Sequence, residues 1–382
     1  AWYFSVCSPD HSRGTRNGWS SLQSAGAKRS KRPINQIVES ILGMKVVYVS
    51  PNNEEEKLYV TQQLSEHTVH FLDAAVTGEL PEEHTDAEVV SIFVDSHLTK
   101  EGIDAMPQLK VLALRSMGFD HVPAEYAKAK GIIVTYVPTY GAQTVAEHTF
   151  ALILALSRKV YPMYQLLREQ GARDIPHFEG FDLCGRTLGV IGTGHIGSRV
   201  CEIARGLRMS VVAYDPYPNE TLTETHDVTF MSLEDVLATA DMCTLHIPAT
   251  PETKHIINAE RIEMMKRGAY LINTARGSLV DTAALIEALK SGHLAGAGLD
   301  VYEGESYLHD EIKLITATAP IDDTVWRAFA AEHELLDMES VIMTPHMAFD
   351  TKEAKHEIVA TTVTNIQAAL TESPQHEVPP AK

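Results

Sequence analysis

The stretch TLGVIGTGHIGSRVCEIARGLRMSVVAYD, residues 187–215, sets the fold of this chain: an apolar run, a glycine-rich turn, a helical segment, and a second apolar run that stops at an acid. GTGHIG at 192–197 is G-x-G-x-x-G, a pattern that alone occurs in many turns. The strand leading in, the helix leading out, and Asp215 eighteen residues past the last glycine give it meaning. Gly192 permits the tight turn, Gly194 lets the backbone approach a pyrophosphate, and Gly197 lets helix and strand pack closely, while the helix start offers unbonded N–H groups to phosphate. Asp215 can accept both ribose hydroxyls and would repel a 2′-phosphate, which favours NAD over NADP. The bland alternative is a glycine-rich loop in an α/β domain without cofactor. A flavin-binding variant would usually place the pattern near the chain start, whereas here it opens a second domain.

Outward from this stretch, short β-branched runs alternate with helical segments, the pattern of parallel sheets covered by helices. Downstream come MCTLHI (242–247), AYLINTA (269–275), AGAGLDV (295–301) and VIMTP (341–345), with helices such as SLEDVLATA and DTAALIEALKSGHL between them, the second closed by Gly292. Upstream, KVVYVS (45–50), VVSIFV (89–94), VLALRS (111–116) and IIVTYV (132–137), separated by the helical EEEKLYVTQQLSEH and PAEYAKAK, predict a first α/β unit. TVAEHTFALILALSRKVYPMYQLLREQ (144–170) reads as one long helix whose middle turns are apolar on every side. Such a helix must be buried on more than one face, so a homodimer through the 143–170 region is expected. The last helix, about 351–370, has no strand to follow and is expected to cross back onto the first domain. The fold class is α/β: two Rossmann-like or flavodoxin-like domains with parallel sheets and a cofactor cleft between them. Residues 44–140 with 349–382 form the expected substrate domain and 141–348 the NAD-binding domain, with hinges near 140 and 348.

The 382 residues suffice for two domains with a core each, and 44% hydrophobic residues argue against wholesale disorder. The longest apolar run, FALILAL (150–156), is far short of the ~20 residues that span a bilayer, and no apolar segment with a cleavage site opens the chain. Net charge is −19, and residues 1–43 carry six Lys/Arg against two acids, which leaves 26 basic and 49 acidic residues, about −23, in the rest. A field of that sign repels nucleic acid and anionic membranes, and it gives no general attraction to an anionic metabolite. An acid substrate therefore needs a local positive group. Cys7, Cys184, Cys201 and Cys243 form no metal or redox motif and fit a reducing cytoplasm; no metal site is expected. Residues 1–43, rich in Ser, Arg and Gly and without periodicity, read as a non-native or disordered extension ahead of a natural start at Met44. A transit segment, or a nuclear signal in KRSKR (28–32), is the sharper alternative.

NTARG (273–277) ends a strand of the cofactor domain, and in such sheets ligands lie beyond the carboxyl ends of the strands. Arg276 is there either a solvated charge or a fork for an anion. In so acidic a chain it is the candidate for the local positive group, able to hold a carboxylate through two parallel hydrogen bonds. GLDVYEGE (298–305) ends the next strand with three acids, Asp300, Glu303 and Glu305, and MTPHMAFD (343–350) ends the one after with His346 behind a proline. A lone histidine at a strand end is usually a hydrogen-bonded spacer. A carboxylate beside it would favour imidazolium and fix the tautomer, as a proton donor to a carbonyl near neutral pH requires. The residues alone leave open which acid does so.

In this order and spacing, the glycine turn, NTARG, GLDVYEGE and TPH resemble the NAD-dependent D-2-hydroxyacid dehydrogenases, over about Met44 to Lys382. The resemblance implies His346 as general acid/base, Glu305 as its partner and Arg276 as binder of the substrate carboxylate and carbonyl, with hydride passing between nicotinamide C4 and substrate C2. It puts Asp300 near the carboxamide, His195 and Ile196 at the pyrophosphate, Tyr140 of VPTY at the hinge, and His246, Pro248, Thr274 and Ala275 among the cofactor contacts. RSMGFDH (115–121) resembles the family loop whose backbone N–H groups hold the substrate carboxylate, which carries over to Met117 and Gly118.

Where many members have a short proline-rich link between Glu305 and His346, this chain has SYLHDEIKLITATAPIDDTVWRAFAAEHELLDMES; with DPYP, PHMAF and IFV it is similar to the D-lactate dehydrogenase branch. By that analogy Phe349 and Phe93 form a small apolar wall against the methyl of pyruvate. A methylene is worth only ~1–3 kcal/mol, so longer 2-keto acids stay open. Pro123 stands where many relatives have an acid and should affect only a helix start. The expected activity is reduction of a small 2-keto acid to the D-2-hydroxy acid with NADH, foremost pyruvate to D-lactate, by a cytoplasmic homodimer without nucleic-acid or membrane partners. Hydroxyisocaproate, glyoxylate or hydroxypyruvate, and phosphoglycerate dehydrogenases are the alternatives within the family; the last would want more cations near Arg276 or Arg115, and no obvious pair is present. An NAD(H)-sensing scaffold similar to the C-terminal binding protein corepressors is the alternative outside enzymes.

Overall fold

Two parallel sheets organise the chain in a computed structural model that describes residues 43–170, 178–305 and 323–380. The expected extension with KRSKR and Cys7, and the first part of the insertion after Glu305, lie outside the described residues. The first sheet has the order β2-β1-β4-β6-β7, with β1 Lys45–Val49, β2 Thr68–Leu72, β4 Val89–Ile92, β6 Val111–Leu114 and β7 Ile133–Thr135. β3 Thr77–Gly78 and β5 His97–Leu98 pair as a small separate ribbon. The central strands are mostly β-branched and aliphatic because both of their faces are buried, as all-parallel strands require. On one face, Val359, Val363 and Ile366 of the helix Lys352–Leu370 meet Val46, Tyr48 and Val111. The last helix thus lies on the sheet built from the beginning of the described chain, and Val378 follows it to donate its N–H to the Val134 carbonyl at 2.9 Å.

The second sheet has the order β10-β9-β8-β11-β12-β13-β14: β8 Thr187–Ile191, β9 Ser210–Tyr214, β10 Val228–Phe230, β11 Met242–Leu245, β12 Ala269–Asn273, β13 Leu294–Leu299 and β14 Val341–Met343. Every pair is parallel, and the strand order reverses between β8 and β11, which opens a crevice at their carboxyl ends. The helix Ala142–Ser157 buries Ala146, Phe150, Ile153 and Leu156 against Leu188, Val190 and Val200. It comes so close to β13 that a Cβ on Gly298 would sit 3.1 Å from that of Leu152. Truncating a fully buried side chain such as Ile153 to Ala should cost about 2–5 kcal/mol.

Three expectations are corrected. The single helix over 144–170 is two, Ala142–Ser157 and Val160–Gln170, because Lys159 takes the left-handed backbone conformation (φ 53°) and ends the i→i−4 ladder. In the single chain the second piece leaves Val160, Tyr161, Met163, Tyr164 and Leu167 exposed. Two edge strands, β2 and β10, were not expected: TVHFL is only half-buried and VTF only three residues long, so neither shows the apolar run of a central strand. Several strands also stop short of the runs that predict them, since the chain leaves the sheets at Phe93, Arg115 and Thr274 to form loops. Among the described residues no helix is long and apolar enough to cross a membrane.

Candidate active site

At the carboxyl end of β8 the chain turns through Gly192 (φ 94°) into the helix His195–Gly206. A Cβ on Gly197 would overlap the Gly192 carbonyl oxygen, so helix and strand touch there only because the side chain is missing. Nothing lies within 4 Å of where a Cβ on Gly194 would stand, and no side chain caps this helix start. The first N–H groups are therefore free for an anion, which is the fit a dinucleotide pyrophosphate needs. His195 is exposed beside the turn and Ile196 half-buried. Asp215, at the end of β9, accepts from the Thr193 N–H at 2.7 Å and its hydroxyl at 3.0 Å through one oxygen, and from the Tyr217 N–H at 2.8 Å through the other. The acid thus braces the turn with lone pairs left over for ribose. Across the crevice, burial pushes the His246 imidazole down to about 3, so it stays neutral, with Nε2 2.9 Å from the Thr244 hydroxyl. Pro248 is exposed at the rim; Thr274 is buried against the Thr149 hydroxyl at 3.0 Å, and Ala275 is half-buried.

The next three strand ends form one assembly. β13 runs into Asp300, whose carboxylate is fully buried and accepts from the Thr344 hydroxyl at 2.5 Å and the Met347 and Ala348 N–H groups at 2.9 Å each. Asp300 therefore holds the loop that follows β14. Its side chain faces the histidine loop. Within that loop His346 has a left-handed backbone (φ 54°), a conformation unusual for a side chain of its size, and donates its N–H to the Asp300 carbonyl at 2.9 Å. Its Nδ1 lies 2.8 Å from Glu305 Oε1. Burial opposes charge on the ring, but the hydrogen bond to Glu305 and its negative charge outweigh that, and the imidazole pKa is raised above its ordinary value.

Arg276 follows β12 and donates to the Ala275 carbonyl at 2.8 Å. Its other nitrogen reaches the loop after β6: it lies 3.6 Å from Asp120 and occupies the space a side chain on Gly118 would fill. The guanidinium on the seven-stranded sheet and the glycine on the five-stranded one thus face each other across the cleft. Met117 donates its N–H to the Tyr140 hydroxyl, 3.4 Å away, and Tyr140 meets Phe349 edge to face at 6.4 Å. Phe349 in turn meets Phe93 at 5.5 Å, giving an apolar wall beside the polar groups.

One residue escaped the sequence reading. His148, on the helix Ala142–Ser157, places Nε2 3.0 Å from the Thr344 hydroxyl and 3.6 Å from Asp300, so that helix also fastens the histidine loop; a polar side chain inside an apolar helix was the only signal. Arg115 is 1% exposed, donates to the Val49 and Ser50 carbonyls, lies 3.4 Å from Glu56 and stacks 4.0 Å over the Tyr48 ring. It is committed to the core of the first sheet and unavailable to a ligand.

Residues 150–348 match the family model described as the D-isomer specific 2-hydroxyacid dehydrogenase, NAD binding domain. The chain is 39% identical over 281 residues to a 2-hydroxyacid dehydrogenase homolog of Haemophilus influenzae, covering 73% of this chain and 82% of that protein. It is 34% identical to the D-lactate dehydrogenase of Escherichia coli, covering 85% and 96%. The solved D-lactate dehydrogenase of Aquifex aeolicus, complexed with NAD and lactic acid, superposes with a TM-score of 0.76 at 37% identity, covering 86% of this chain and 96% of that one.

Proposed function

This chain belongs to the D-isomer specific 2-hydroxyacid dehydrogenases and carries their NAD-binding domain, and from that premise we propose that it reduces a small apolar 2-keto acid, foremost pyruvate, to the D-2-hydroxy acid. The observation that carries this reading is the 2.8 Å His346–Glu305 pair on the same cleft as Arg276, which lies against Gly118 of the opposite lobe. When bound, the reduced nicotinamide supplies the hydride that adds to C2 of the keto acid. Arg276 forks the substrate carboxylate and draws electron density toward the carbonyl oxygen. The Met117 and Gly118 loop closes on the same carboxylate. His346, with Nδ1 engaged by Glu305, gives the proton on its other nitrogen to the carbonyl oxygen as that oxygen gains charge. A neutral imidazole and a hydroxyl result. The glycine turn, His195 and Ile196 would hold the pyrophosphate, Asp215 the ribose, and His246, Pro248, Thr274 and Ala275 the rest of the cofactor.

Phe93 and Phe349 would receive the substrate methyl. The engagement of Arg115 with Val49, Ser50 and Glu56 argues against a phosphorylated substrate, because it removes the nearest second cation of the loop. We take 44–140 with 349–382 and 141–348 as the two domains that close on substrate, with the chain crossing at Gly141 and Phe349, where the Thr144 and Thr351 hydroxyls lie 3.2 Å apart. The exposed apolar face of Val160–Gln170 supports a homodimer, and the unpaired Cys184, Cys201 and Cys243 suit a reducing cytoplasm. The test is to mix protein, NADH and a panel of 2-keto acids and follow the nicotinamide absorbance and product chirality. Fastest turnover on pyruvate with D-lactate as product supports the reading. Preference for a longer or charged acid reassigns the substrate, and NADH binding without turnover on any acid supports a sensor instead.

A further inference from the structure

At the end of the seven-stranded sheet opposite the glycine turn, three neighbouring parallel strands begin side by side. Met242 of β11 is level with Leu188 of β8 on one side and with Tyr270 of β12 on the other. The residues that lead into these strands, Arg186, Asp241, Lys266 and Arg267, therefore meet at one edge. They line a cavity of about 180 Å³ together with Phe181 and Tyr270. None of the six takes part in the chemistry above.

Charged residues at strand entries usually sit solvated on the surface. Here the charges do not balance. Lys266 lies 3.0 Å from one oxygen of Asp241, whose other oxygen accepts the Thr187 N–H at 2.8 Å. Burial opposes ionisation of this acid, but those two donors outweigh it and hold the carboxyl below its ordinary range. Lysine and aspartate thus cancel, and two guanidiniums remain. Arg186 stands 5.2 Å over the Phe181 ring, and Arg267 reaches the Ser291 carbonyl at 3.4 Å; among the described residues neither is ion-paired. From residue 44 on, the chain holds 49 acids to 26 bases, so carboxylates are abundant and yet neither arginine takes one. Beside them the Phe181 and Tyr270 rings meet at 5.3 Å and give the cavity an aromatic side.

We propose that this cavity is a second ligand site, separate from the cofactor crevice, for a small phosphate monoester: Arg186 and Arg267 hold the phosphate oxygens, and the Phe181–Tyr270 side covers a short carbon body. A phosphate monoester carries about −1.5 to −2 charge near neutral pH, which matches two unpaired guanidiniums, and its oxygens suit their forked donors. A monocarboxylate would neutralise only one of them. At ~30 Å³ per water the cavity has room for roughly six waters, so the body is limited to a few carbons and a nucleotide does not fit.

The experiment is a calorimetric titration of the full chain, free and saturated with NADH, with glycerol 3-phosphate as the small phosphate monoester and acetate as the monocarboxylate. Glycerol 3-phosphate should bind the NADH-saturated chain with a Kd below about 1 mM, and acetate about tenfold more weakly or worse. Arg186→Gln and Arg267→Gln, both at exposed positions, should each raise the Kd for glycerol 3-phosphate about tenfold, as loss of a charge-assisted bond to phosphate implies. Lys110→Gln is an equal loss of charge on the other sheet, where Lys110 pairs with Glu88; it should leave the Kd within about twofold. Absence of saturable binding, an unchanged Kd in both arginine variants, or an equal loss in Lys110→Gln overturns the proposal. So does binding that NADH abolishes, which puts the ester on the glycine turn. Keto acid turnover plays no part in the readout, so this site stands or falls apart from the dehydrogenase reading.

Discussion

The molecule contains two histidine–glutamate pairs that look alike in isolation. His255 lies 2.7 Å from Glu303 and His346 2.8 Å from Glu305; both rings are about one-third exposed, and both histidines have left-handed backbones, with φ 51° and 54°. Their surroundings separate them. His255 donates its N–H to the Ser278 carbonyl, and Glu303 also accepts the Thr282 hydroxyl at 3.1 Å, so that pair ties the loop after Arg276 to the segment after β13. His346 has its backbone fixed by Asp300 instead and its ring within the influence of the Arg276 charge. An imidazole–carboxylate contact is therefore no signature of proton transfer. What sets His346 apart is the Arg276 charge near its ring and, on the proposed function, the substrate that this charge would hold.

Mutating the two histidines should break the likeness most sharply. On the proposed function, His346→Gln should lower kcat/KM for keto acid reduction about a thousandfold, whereas His255→Gln should stay within about twofold and lose under about 1 kcal/mol of stability; steady-state rates and urea unfolding decide. Asp300→Asn probes the anchor that only the His346 pair possesses. An amide turned toward two N–H groups sets donor against donor, so about 2–3 kcal/mol of stability should go, and kcat should fall about a hundredfold as the ring loses its aim. Arg276→Lys keeps the charge without the planar fork and should raise the KM for pyruvate about tenfold with a smaller change in kcat.

The carboxylates sharpen the comparison through pH. Because Glu305 raises the His346 pKa over the opposing effect of burial, reduction should hold up above the ordinary imidazole range and fall as pH rises past the raised value, while oxidation of the hydroxy acid should show the reverse. Glu305→Gln should move that limb to lower pH; Glu303→Gln should leave it in place. The smallest effect is expected far from both pairs, where Asp215→Ala should relax the preference for NAD over NADP about fivefold, measured as the ratio of kcat/KM values.

Much of this was legible in residue order. The turn at 192–197, the strand ends at NTARG, GLDVYEGE and TPH, and the return of the last helix all follow from patterns whose physics is local: apolar runs, glycine where backbone must approach backbone, polar groups after a strand stops. The break at Lys159 was not legible, because Leu152, Ile153 and Leu156 before it and Met163 and Leu167 after it keep the apolar content of one continuous helix while the backbone changes direction. Edge strands β2 and β10 stayed hidden for the opposite reason, since half-exposed strands need not be apolar.

The choice among Asp300, Glu303 and Glu305 marks the boundary. The sequence by itself determined that three acids stand at one strand end beside a histidine and an arginine from neighbouring ends. Only the tertiary structure decided that Asp300 turns inward to three donors, Glu303 goes to His255 and Glu305 to His346. The reason is geometric: past the last strand residue no pleat fixes side-chain direction, and each carboxylate settles on whichever donors the distant loops bring within hydrogen-bonding distance.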